Sequence, residues 1–218
     1  AGAGPFTAGS PVSVEATLKD SFGNTVTGYT GTLHFTSSDA QALLPPDTAF
    51  TSGDAGRKLF SVTFKTAGTQ TLAAMDSAQA SLTATISRQV TPGAVDQLVF
   101  AAPSSVTAGD TLTTTVTVRD AYGNTVKNYT GTLHFTSNQT GATVPADYTF
   151  VASDLGVRQF DFTLRHTGST TLTVTDTAAG KSATATVTVN PATVAQLVLS
   201  AGAGPFTAGS PVSVEATL

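Results

Sequence analysis

The residues of this chain best suited to chemistry are few. Two short acidic motifs stand out: Asp20-Ser21-Phe22-Gly23-Asn24 and Asp120-Ala121-Tyr122-Gly123-Asn124. Each places a carboxylate and an amide four residues apart across a glycine. An Asp in this position accepts backbone N–H groups, and Gly and Asn tolerate the left-handed conformations that a tight turn needs. The same oxygens could instead begin a calcium site, with Asp20, Asn24, Asp120 and Asn124 as its candidates. Calcium requires about six to eight oxygens, so further acids such as Asp47, Asp54 or Asp76 would have to converge on the first motif. The turn is the simpler reading, and no cofactor is expected.

The other reactive side chains have even less support. His34 and His134 alternate with Leu and Phe neighbours, which turns them away from a core, and neither has a His or acid two residues along its strand. Zinc needs about three or four ligands, so a metal role is not indicated. His166 aligns with Thr66 and has no counterpart. Ser and Thr are abundant, but no nucleophile-base-orienter arrangement or nucleophile elbow accompanies them, so no enzyme is expected. Lys19 could donate to an isopeptide bond, but its counterpart is Arg119. Asn128-Tyr129-Thr130 and Asn138-Gln139-Thr140 match the N-glycosylation sequon.

Composition narrows the class further. The chain has 218 residues, a net charge of −4, 11% charged residues and no Cys or Trp. Ten scattered Lys and Arg do not make a nucleic-acid surface. No apolar run reaches the roughly 18 residues needed for a membrane-spanning helix. Without Cys there are neither disulfides nor thiolate sites. The 42 Thr are the dominant bias. Thr is β-branched and favours strands, and segments such as Thr113–Val118 and Ala183–Val189 alternate apolar and hydroxyl side chains with a period of two.

These strands belong to a repeat. Shifted by 100, the sequence aligns with itself: the two Asp-x-x-Gly-Asn motifs coincide, and Tyr29–Ser37 recurs unchanged as Tyr129–Ser137. The register slips most clearly around 78–92 and 178–191. A second repeat has a period of 200, since Ala201–Leu218 is identical to Ala1–Leu18. The expected organisation is therefore a sandwich over 1–93 lacking its first strand, a complete sandwich over 94–191, and the first strands of another repeat over 192–218. The expected reading is a window on a periodic polymer, with the 18-residue overlap either natural or imposed on the chain. Strands are expected near 95–101, 110–119, 129–137, 147–151, 157–166, 170–176 and 183–190, about seven per unit, as in a β-sandwich.

Thr-Ala-Gly before an alternating strand, then Asp-x-x-Gly-Asn-x-Val, then Tyr-Thr-Gly-Thr-Leu-His-Phe-Thr-Ser, resembles the bacterial immunoglobulin-like repeats of large exported proteins, of the invasin and intimin type. Tyr29-Thr30-Gly31 departs from the usual invasin pattern. The resemblance implies an all-β fold of tandem immunoglobulin-like sandwiches, an extracellular or cell-surface location, and a role as fibre, stalk or adhesin. It carries no catalytic residues.

The expected partners are further copies of the repeat, with no nucleic acid and no membrane insertion. Val194, Gln196, Leu197, Val198 and Leu199 match the opening strand Val95–Phe100. They are expected to pair beside the Val12–Lys19 strand of the following domain, either along one chain or by strand exchange between subunits. The alternatives are adhesin modules with a surface ligand, or a stalk stiffened by calcium.

Overall fold

The computed structural model describes residues 5–201 and 203–217; residues 1–4, 202 and 218, all within the repeated 18-residue segment, lie outside the described residues. The described residues are all-β apart from two single-turn 3-10 helices, Ser52–Asp54 and Ala152–Asp154. Two β-sandwiches follow one another.

The first contains β1 (Phe6–Thr7), β2 (Pro11–Thr17), β3 (Thr32–Ser37), β4 (Thr48–Ala49), β5 (Arg57–Thr63), β6 (Gly68–Asp76) and β7 (Thr83–Thr91). The second contains β8 (Val95–Ala101), β9 (Ser105–Thr107), β10 (Thr111–Asp120), β11 (Thr132–Ser137), β12 (Tyr148–Thr149), β13 (Val157–Thr163), β14 (Gly168–Asp176) and β15 (Lys181–Asn190). One sheet has the same order in both: β1-β7-β6-β3-β4 and β9-β15-β14-β11-β12. In each, the short first strand of the sheet runs parallel to the last, and the other pairs are antiparallel.

The opposite sheets differ. In the second sandwich β10 lies between β13 and β8, whereas in the first β2 pairs with β5 alone among the described residues. Hydrogen-bonding groups on the free side of β2 are therefore left open, as at any unpaired sheet edge.

Period-two alternation explains the cores. Leu33 and Phe35 face inward from β3, as Leu133 and Phe135 do from β11, while His34 and His134 face out. Phe60, Val62 and Phe64 fill the first sandwich; Phe160, Phe162 and Leu164 fill the second. Phe35 meets Phe60 at a centroid distance of 4.7 Å, and Phe135 meets Phe160 at 4.4 Å, in tilted geometry. Such pairs add to the area they bury, and here no disulfide assists them.

Some boundaries depart from the alternation. The strand expected from 129 starts at Thr132, because Tyr129 turns its ring under the sandwich and Gly131 lies against that ring, where a Cβ would overlap it. The segment expected over 157–166 ends at Thr163, and those expected from 170 and 183 begin at Gly168 and Lys181. The expected strand over 147–151 shortens to β12 and runs into a 3-10 turn. β9, a parallel strand of three residues, carries no alternation long enough to read.

After Asn190 the chain enters another hairpin. β16 (Val198–Ala201) pairs antiparallel with β17 (Val214–Thr217), with Val198 opposite Thr217 and Leu199 opposite Ala216. This register is that of β8 and β10, where Val99 faces Thr117 and Phe100 faces Val116. Val194, Gln196 and Leu197, read as part of this strand, precede it without strand structure.

Candidate functional site: the joint between sandwiches

The Asp-x-x-Gly-Asn segments are tight turns at one end of each sandwich. In both, the Asp N–H donates to the Asn carbonyl at 2.9 Å, and glycine takes a positive φ, +89° at Gly23 and +85° at Gly123. Asp20 Oδ1 accepts from the N–H of Phe22 and Asn24 at 2.9 and 2.8 Å, and Asn24 Nδ2 donates to Asp20 Oδ2 at 3.0 Å. The amide of Asn24, then its backbone N–H, hold the Asp20 carboxyl below the usual carboxylate range. Asp120 repeats the pattern with Tyr122 and Asn124.

What the two turns touch is different. The second docks onto the first sandwich. Asn124 Nδ2 donates to the Lys65 carbonyl at 2.7 Å as well as to Asp120, and Asn124 Oδ1 accepts the Ala67 N–H at 2.8 Å. The amide therefore bridges two backbone groups of a loop in the preceding sandwich. Asp120 Oδ2 also accepts from Gly93 N–H, in the three-residue connection Pro92-Gly93-Ala94, at 2.8 Å. Burial alone would raise the Asp120 pKa, but bonds from Asn124, Gly93 and Tyr122 outweigh it and keep the carboxyl below its ordinary value.

Tyr122 completes the joint. Its ring packs against the first core over Gly9, where any Cβ would overlap it, and Lys65 Nζ lies 5.7 Å from the ring centroid. A groove of about 730 Å³, bordered by Thr7, Ala67, Gln89, Pro92, Asn124 and Lys127, runs beside these contacts.

The loop receiving Asn124 is itself fixed. Asp39 Oδ2 accepts from the N–H of Lys65 at 2.6 Å and Thr66 at 2.9 Å, and its Oδ1 accepts from Thr66 Oγ1 at 2.6 Å. In the second sandwich Gln139 Oε1 does the same for Arg165 and His166, at 2.6 and 3.1 Å.

The remaining candidates are bound elsewhere. Asp47 faces His34 at 2.6 Å and Asp147 faces His134 at 2.6 Å, both exposed on the outer surface. These repeated His–Asp pairs bridge 13 residues of loop, so a search along one strand does not reveal them. Asp54 accepts from Thr51 and Lys58, and Asp76 from Tyr29. Tyr129 donates to Asp176 at 2.6 Å in the second core. Among the described residues, no three His, Asp or Glu side chains converge as a metal site would require.

No protein-family model matches the chain, and no characterised protein matches it in sequence. Among solved structures the similarities are partial. The Escherichia coli adhesin FdeC is 22% identical, with a TM-score of 0.49, covering 90% of this chain and 64% of that one. The D00-D0 domain of intimin is 13% identical with a TM-score of 0.47, covering 86% and 96%. Domains 4 and 5 of the S-layer protein SbsC are 25% identical with a TM-score of 0.36, covering 79% and 78%.

Proposed function

We propose that this chain is a structural unit of an extracellular or cell-surface array, a fibre or stalk of immunoglobulin-like sandwiches placed head to tail. The observation that carries this reading is the joint. A three-residue connection, a bridging amide and a packed aromatic ring tie one sandwich to the next, where a flexible linker would leave them independent. A chain of such joints transmits force and fixes the axial spacing, as in other repeat arrays.

Strand complementation extends the array. In the second sandwich Leu98 and Phe100 of β8 are buried, 6% and 9% exposed, beside β10. The first sandwich has at the same place a groove of about 350 Å³ bordered by Ala16, Leu18, Leu33, Ala74 and Leu82. The matching residues Leu197 and Leu199 are 59% and 66% exposed. In the array Val194, Gln196 and Leu197 extend the strand begun at Val198 and Leu199 and lie with it beside β2 of the following repeat, with the leucines in that groove.

A peptide of residues 194–200 added to the whole chain tests this. It should raise the melting temperature of the first sandwich, and a Leu197→Asp peptide should not. Equal behaviour of the two peptides would remove strand complementation. Small-angle scattering from a chain lengthened by one 200-residue period should show an extended rod; a freely jointed profile would remove the stalk.

A further inference from the structure

The Asp20–Asn24 turn and the surface over Gly109 are each without a partner sandwich among the described residues. The first sandwich presents an undocked turn: Phe22, the counterpart of Tyr122, is 89% exposed, and Asn24 is exposed with its amide already oriented by Asp20. An aromatic side chain this exposed, on a turn whose twin is docked, is an unexplained apolar surface.

The second sandwich presents the receiving surface. Gly109 N–H donates to the Leu164 carbonyl at 2.8 Å, as Gly9 N–H does to Phe64 at 2.8 Å. Both glycines have positive φ, +91° and +84°. The hollow over Gly9 holds the Tyr122 ring, whereas a Cβ on Gly109 would meet nothing within 4 Å. The loop beside it is organised by Gln139 as its counterpart is by Asp39. Its Arg165 carbonyl and Thr167 N–H correspond to the two groups that Asn124 bridges.

We infer that the Asp20–Asn24 turn of a further copy of this sequence docks on the Gly109, Arg165 and Thr167 surface, Phe22 over Gly109 and Asn24 bridging the Arg165 carbonyl and Thr167 N–H. This deepens the array reading and rests on it by naming the contact between successive 200-residue periods. The receiving groups are backbone atoms and a glycine hydrogen, so replacing Lys65, Thr66 and Ala67 with Arg165, His166 and Thr167 leaves them in place. Phe22 lacks the Tyr122 hydroxyl but keeps the ring. Ala192 replaces Gly93 as the donor to the turn carboxylate. A Cβ at Gly93 would stand 3.3 Å from the Ala8 carbonyl oxygen, a contact that a small shift accommodates.

The test uses the chain lengthened in register by one period. Because the sequence has no Cys, a single introduced pair reports a single contact. Thr167→Cys in the first period with Asn24→Cys in the second probes the inferred joint. Ala67→Cys with Asn124→Cys probes the joint already described, where side chain and backbone are 2.8 Å apart. Under mild oxidation both pairs should close at comparable rates, and Phe22→Ala in the second period should slow the first pair by about tenfold through loss of its aromatic anchor. Closure of the 67–124 pair alone overturns the inferred joint and leaves the array standing. Failure of both pairs overturns both.

Discussion

Asn124 of the second sandwich and Ala67 of the first are joined by a hydrogen bond from backbone N–H to side-chain amide oxygen, 2.8 Å long and 57 residues apart in sequence. With the return bond from Asn124 Nδ2 to the Lys65 carbonyl, one side chain bridges two backbone groups of the neighbouring sandwich. Asn124→Ala removes both bonds and one of those supporting Asp120. Net values of about 1 kcal/mol per hydrogen bond imply a loss of about 2 kcal/mol at the joint. The expected outcome is two unchanged sandwich folds with independent tumbling, measured by NMR relaxation. Unchanged relative tumbling would show that Tyr122 packing and the Gly93–Asp120 bond hold the joint without the Asn124 bridge.

Tyr129→Phe should weaken the second sandwich. The hydroxyl is the side-chain donor to Asp176, which is 1% exposed, and an unsatisfied buried acceptor costs about 1–3 kcal/mol. Urea unfolding should show a lower midpoint with an unchanged slope.

Acid should act unequally on the two sandwiches. Asp39 sits below its ordinary value of 3.8: burial pushes it up, but bonds from Thr66, Lys65 and Gln41 outweigh that. A depressed folded pKa contributes stability that is complete above the unfolded value and disappears as pH falls through the folded one. The corresponding corner of the second sandwich uses Gln139, which does not titrate in this range. Melting followed below about pH 4 should therefore show this corner failing in the first sandwich, and Asp39→Asn should reduce the acid dependence.

Alkali acts through Tyr29. Burial, then the bond to Asp76, pushes its hydroxyl up to about 12. A raised pKa gives stability that is complete below the unfolded value near 10 and is lost as pH rises through the folded one. Phenolate absorbance should show Tyr29 titrating late, and Tyr29→Phe should remove its share of the late component, leaving that of Tyr129, which burial and the bond to Asp176 also push up.

Alternation made the inward Leu33, Phe35, Leu133 and Phe135 legible, and with them the sandwich. The Asp120–Asn124 turn was legible as a turn because Asp, Gly and Asn have distinct backbone preferences. Its docking was not, since Asn124 is received by a carbonyl and an N–H that every residue type supplies. The His34–Asp47 and Tyr129–Asp176 pairs stayed hidden for another reason. Their partners lie 13 and 47 residues away, and only the closed fold brings them together.

The joint makes adjacent sandwiches behave as one rigid element. Residual dipolar couplings measured separately for 5–91 and 95–190 test it most directly. A rigid joint predicts one alignment tensor, equal in magnitude and orientation for both sets. Two tensors of clearly different magnitude would show that the sandwiches reorient independently and that the joint is not rigid.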